Sequence, residues 1–186
     1  MSDSQRVTSF YFSIAWRNQS RYQAYMREID AISASEKDEW MKEMETSDAR
    51  FQGLKCAVES IVFSAMCLES FIYGYSVKCL GQSYTKAHID RIGLESKYIL
   101  VPKLIVGKEL DRSGQAYQML KQLIKDRNSI VHFKSTADFL SEQSFLPNAM
   151  DNGINAIYQV MKELEAIHPE EYHLFRAATE MEVCFA

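Results

Sequence analysis

Glycine and proline are scarce in this chain, with 7 and 3 among 186 residues. Both punctuate tight turns, so a protein built from many short strands and hairpins is disfavoured. No stretch sustains the alternation of apolar and polar residues that a half-buried strand requires. The four cysteines, Cys56, Cys67, Cys79 and Cys184, lack Cys-x-x-Cys spacing, and no His, Cys, Asp or Glu group has metal-ligand spacing. No metal or cofactor is therefore expected. Three of the cysteines fall on one expected helix, too far apart along it to bond each other, and all four are expected as reduced thiols. There is no glycine-rich phosphate loop and no Gly-x-Ser-x-Gly elbow. The opening "MSDSQRVTSF" lacks the apolar core of a secretory signal. The most apolar run, "AVESIVFSAMCLESFIYGY", is interrupted by Glu59 and Glu69, which argues against a membrane span. A cytoplasmic protein is expected.

What is present is helical. The chain is 47% hydrophobic, enough for a core, and its length suits one domain. Residues 7 to 32 read as a first helix with Val7, Phe10, Tyr11, Ile14, Tyr22, Tyr25, Ile29 and Ile32 on one side. Ser35 with Asp38 resembles a capping box for the next segment. A helix through Trp40 and Met44 follows, with a break expected near "ETSDAR". The longest helix should run from about Ala49 to Leu80, closed by Gly81. Residues 82 to 113 are the least regular, with one or two short helices around Pro102 and an alternative short strand at "YILV". Ser113 should open a helix reaching Phe133, followed by a loop. A last long helix should start near Asn148 and end before Pro169. The expected architecture is a single all-α domain over 1–186, an antiparallel bundle of about five helices. Its core spans 51–164, with an N-terminal helical extension over 7–46 and an irregular segment before the fourth long helix.

Net charge is −4, yet the segment from Lys97 to Lys134 carries +5 and the remainder −9. Within that segment lies "DRNSIVHF", where a charge intrudes on an apolar stripe. A helix turns by ~100° per residue, so with Arg127 at zero, Leu120, Val131, Ile124 and Tyr117 all lie within ~80°. Asn128 falls at ~100° and His132 at ~140°, on the flank. On the long helix, with Val58 at zero, Phe51, Val62, Ala65 and Ile72 lie within ~40° and Glu69 at ~20°. Two apolar faces thus carry opposite charges. A buried unpaired charge costs several kcal/mol, so the economical solution packs the faces together with Glu69 against Arg127.

At "RNSIVH" the sequence resembles the HEPN family (higher eukaryotes and prokaryotes nucleotide-binding domains). That motif is an arginine, four to six residues, then a histidine, often with a polar residue after the arginine. Arg127, Asn128 and His132 fit. "LKQLIKDRNSIVHFK" is similar to the family's motif helix, and "AVESIVFSAMCLESFIYGYSVKCLG" to its preceding long helix, where an acidic residue often stands in the place of Glu69. The resemblance spans roughly Phe51 to Leu164. The segment 82–113 is longer than the tightest family members need, and would obstruct or shape a cleft.

The resemblance implies a bundle that dimerises with motif helices facing, and metal-independent RNA cleavage in active branches. Some of these are toxins or defence effectors encoded with an antitoxin such as a nucleotidyltransferase-like protein. On that reading Arg127, Asn128 and His132 are catalytic and Glu69 supports Arg127. One His132 acts as base and its symmetry mate as acid. Arg127 stabilises charge on phosphorus and lowers the pKa of His132. Lys121, Lys125 and Lys134 would guide the RNA backbone. Two alternatives stand beside it: a non-catalytic module for a nucleotide or protein partner, and a purely structural helical dimer.

Overall fold

The computed structural model describes residues 3–131 and 143–171, and every secondary-structure element among them is helical. The fold is an all-α bundle. Helix α1 spans Asp3–Ser33 and α2 spans Glu39–Leu80. A one-turn α3, Gln82–Tyr84, runs into a π-helical turn, Thr85–Ile89. Helix α4 covers Leu94–Val106, α5 Gln115–Val131 and α6 Leu146–Ile167, with a closing 3-10 turn at Pro169–Glu171.

The short α1–α2 connection makes those helices antiparallel neighbours. Their register is visible in the contacts. Thr8 Oγ1 lies 3.1 Å from Ser70 Oγ, Ser60 Oγ donates to the Ala15 carbonyl at 2.9 Å, and Gly53 faces Tyr22, Tyr25 and Met26. The α1 face turned to the core is Thr8, Phe12, Ala15 and Asn18, while Val7 and Phe10 are exposed. The apolar stripe in sequence is therefore rotated from the buried one, because polar side chains share the buried face: Thr8 meets Ser70 of α2, and Asn18 donates to the Ile14 carbonyl of its own helix.

Helix α2 is continuous for 42 residues, with no break at "ETSDAR". Nothing in that stretch blocks a helix, since it contains neither glycine nor proline. Its N-cap is Asp38, whose Oδ1 accepts from the Met41 N–H at 2.9 Å, while the Ser35 hydroxyl donates back to the Ile32 carbonyl. Gly81 ends it with φ 87°, a conformation that favours glycine. Cys56, Cys67 and Cys79 are free thiols on this helix, and Cys184 lies outside the described residues. Part of α2 is long and apolar enough to cross a membrane. Here it is the central helix, with 56% of that window buried inside the bundle.

The core gathers Ile61, Leu68, Ile72 and Tyr75 of α2 against Tyr98 and Val101 of α4, Leu120 and Leu123 of α5, and Ile157, Val160 and Leu164 of α6. The segment 82–113 holds α4, a short helix around Pro102 as expected, and the alternative strand at "YILV" is part of it. Gly107 caps α4 at φ 73°. Helix α5 begins at Gln115 rather than Ser113. The Ser113 N–H and hydroxyl instead bind Asp111 Oδ1, at 2.9 and 2.6 Å. These bonds hold the Asp111 carboxyl below the usual carboxylate range. Helix α6 starts two residues before Asn148, with Pro147 in its first turn, where the missing N–H costs nothing.

Candidate functional site

Tyr98, fully buried on α4, donates its hydroxyl to the Leu68 carbonyl of α2 at 2.7 Å. That bond sets the two helices against each other at one level, and the residues beside it follow. Lys97 precedes Tyr98, and Glu69 follows Leu68. Lys97 Nζ lies 3.6 Å from Glu69 Oε1. The other oxygen, Oε2, lies 4.0 Å from Arg127 Nη2 of α5. One carboxylate thus bridges two cations from two different helices. Arg127 also donates from Nη1 to the Asn128 Oδ1 at 3.0 Å, which fixes the amide and the guanidinium together.

The depths differ from those implied by the sequence. The Lys97 side chain is 3% exposed, Glu69 47% and Arg127 35%. Glu69 stands at the margin of the buried face of α2 rather than in its middle. The reason lies in the stripe used to place it: Phe51 is exposed and Val58 and Val62 are half-buried, whereas the core face runs through Ala57, Ile61, Leu68 and Ile72. Arg127 does point along the buried side of α5, whose face carries Ala116, Tyr117, Leu120 and Leu123. The helix is leaving the core at this level, since Val131, one turn on, is 58% exposed.

Two buried charges were not foreseen. Lys97 is one. It occupies the place of an apolar residue in the stripe Leu94, Lys97, Tyr98, Val101, Pro102, and that spacing is the signal by which it could have been found. Asp126 is the other. It is 6% exposed, its Oδ1 accepts from Gln122 Nε2 at 2.6 Å, and burial pushes its carboxyl pKa up.

A groove of about 730 Å³ runs along the outer side of α5 toward the start of α4. It is lined by Glu95, Gln118, Lys121, Gln122, Lys125 and Asn128, with Ile124 contributing an apolar wall. Lys121 and Lys125 are exposed along it. Glu95 is held by the Tyr117 hydroxyl, and this bond raises the pKa of the phenol. Asn128 joins this groove to the charge cluster, since it lines the one and accepts from Arg127 of the other.

The structure therefore brings Glu69, Arg127 and Asn128 together, with Lys121 and Lys125 on the adjoining groove. His132 and Lys134 lie outside the described residues. Among the described residues no three His, Cys, Asp or Glu side chains gather as metal ligands. What the cluster offers chemically is a guanidinium oriented by a carboxylate and an amide, beside a groove with two cations. That is an arrangement suited to an oxyanion such as a phosphodiester. No family model, curated protein or solved structure matches the chain.

Proposed function

We propose that the chain is a metal-independent endoribonuclease of toxin or defence type, HEPN-like, acting in the cytoplasm as a homodimer through the motif helix. The observation that carries this reading is Arg127 of α5, oriented by Glu69 and Asn128, five residues before His132 in sequence. The +5 segment and the groove past Lys121 and Lys125 support a polyanionic substrate.

RNA carries its own nucleophile. The imidazole of one His132 removes the proton of the 2′-hydroxyl, and the 2′-oxygen forms a bond to phosphorus. The bond from phosphorus to the 5′-oxygen breaks, and the imidazolium of His132 of the partner subunit gives that oxygen its proton. The products are a 2′,3′-cyclic phosphate and a free 5′-hydroxyl. Arg127 stabilises the added negative charge on the phosphoryl oxygens. Lys121, Lys125 and Lys134 track the neighbouring phosphates. An antitoxin such as a nucleotidyltransferase-like protein is the natural partner of such an activity.

The test is a gel of total RNA incubated with purified protein in EDTA. Wild type should cut it, and His132→Ala should not, with unchanged helical circular dichroism. Equal cutting by both would remove His132 from the mechanism.

One observation favours a second reading, a non-catalytic module for a protein partner. Trp40, Met44 and Phe51 line one side of α2 at helical spacing and are 70%, 55% and 57% exposed. On that reading wild type leaves RNA intact, and Trp40→Ala abolishes the partner contact instead.

A further inference from the structure

Lys97 is the most anomalous charge among the described residues. A lysine closed off from solvent costs several kcal/mol unless an opposite charge faces it. Glu69 is the carboxylate within ion-pair range. Yet Glu69 is also within range of Arg127, through its other oxygen. The three groups together carry a net charge of +1. Had Glu69 paired with Arg127 alone, a close bidentate contact would neutralise the guanidinium and occupy the donors a phosphate needs. Instead Glu69 stands between the two cations, 4.0 Å from Arg127 and 3.6 Å from Lys97 on its inner side, both separations longer than a hydrogen bond.

We propose that Lys97 is a positioning residue that shares the charge of Glu69, so that Glu69 orients Arg127 without neutralising it and the cluster keeps one positive charge for a phosphodiester. The identity of the ligand rests on the ribonuclease reading, whereas the charge sharing rests on the Lys97–Glu69–Arg127 geometry alone. Lys97 does not touch the ligand, because its side chain is 3% exposed. The bond between Tyr98 and the Leu68 carbonyl holds the lysine at the level of the carboxylate, so the relay is built into the α2–α4 contact.

The experiment compares wild type, Lys97→Met, the double variant Lys97→Met with Glu69→Gln, and Lys97→Arg, all in the full chain. Two readouts are taken. One is the NMR signal of the Arg127 Nε–H, identified by its loss in Arg127→Lys. The other is the affinity for a labelled single-stranded eight-nucleotide RNA in EDTA. In Lys97→Met, Glu69 turns wholly to Arg127. Its Nε–H signal should shift downfield and exchange more slowly, and RNA affinity should fall roughly tenfold, about one charge-assisted contact. Removing the carboxylate charge as well should return both readouts toward wild type, and Lys97→Arg should resemble wild type. A core lysine of merely structural importance would change the melting temperature and leave the Arg127 Nε–H signal where it is in wild type.

An unchanged arginine signal in Lys97→Met, or a double variant as impaired as the single one, overturns the proposal. Should Lys97→Met not fold, Lys97→Gln carries the same expectation, and failure of both to fold would make Lys97 a folding residue and overturn its positioning role. Wild type that binds no RNA sinks the ribonuclease reading, while the arginine signal still decides the role of Lys97.

Discussion

Lys97 and Glu69 face each other at 3.6 Å across the α2–α4 contact, the lysine sealed inside and the carboxylate half-exposed. This asymmetry sets the cost of losing either partner. Removing a partner of a fully buried pair costs about 3–5 kcal/mol, and an exposed pair is worth about 1 kcal/mol or less. Glu69→Ala strands a buried ammonium beside open water, so a loss of about 2 kcal/mol is expected by urea denaturation. Lys97→Met leaves a half-exposed carboxylate with Arg127 still near, and should be nearly neutral or stabilising. The reverse order of the two effects would contradict the pairing described here.

Asp126 should make stability depend on pH in the direction opposite to an ordinary ion-paired carboxylate. Burial raises its folded-state pKa above the unfolded value. Between those two values the folded state binds more protons, so stability falls as pH rises through that window, and the penalty is in full force above it. Asp126→Asn keeps an acceptor for Gln122 and removes the charge. It should melt higher than wild type at pH 7, with the advantage shrinking as pH falls toward the unfolded pKa of an aspartate. An advantage that grows at low pH would contradict the burial argument.

Gly153 lies where α6 approaches α2. A Cβ there would meet Ser64 Oγ at 3.0 Å, Ser64 Cβ at 3.1 Å and the Leu123 Cδ1 at 3.4 Å. Ser64 and Leu123 are buried, so neither yields easily. Gly153→Ala should destabilise by about 1–3 kcal/mol despite the better helix propensity of alanine. Thermal melting followed by circular dichroism measures it, and a rise in melting temperature would show that the helices separate freely.

The fold was legible where pattern and burial coincide. The long helices, the Gly81 stop and the end of α6 before Pro169 follow from periodicity and breakers. Elsewhere the physics lies in three dimensions. Gly153 stands inside the expected last helix because packing against Ser64 leaves no room for a side chain, which the helical repeat alone does not reveal. Arg127 had the right direction and less depth than expected, because direction comes from the helical repeat and depth from where the helix leaves the core. The helical repeat sets Glu69 too deep, since Phe51, Val58 and Val62 are apolar without being buried. Lys97 is hidden in sequence because a single lysine in "ESKYILVPKL" is indistinguishable by type from a solvated one. Only its place between Leu94 and Tyr98 in the stripe marks it.

On the ribonuclease reading, Lys121 and Lys125 contribute through charge. Each phosphate contact on a single strand changes the slope of log affinity against log salt by about −0.7. Replacing both by alanine should therefore make that slope shallower by about 1.4, weaken RNA binding, and leave the position of the cuts unchanged. Titrations between 50 and 200 mM salt measure it. An unaltered slope would place the RNA on another face.

The most direct test of the account asks for the nucleophile and the histidine at once. Purified protein in EDTA is given a labelled RNA oligonucleotide or its fully 2′-O-methylated copy, and the product ends are read by mass spectrometry. Wild type should cut only the unmodified strand, leaving 2′,3′-cyclic phosphate and 5′-hydroxyl ends, and His132→Ala should cut neither. Cleavage of the methylated strand, cleavage by His132→Ala at the wild-type rate, or no cleavage by wild type would contradict it.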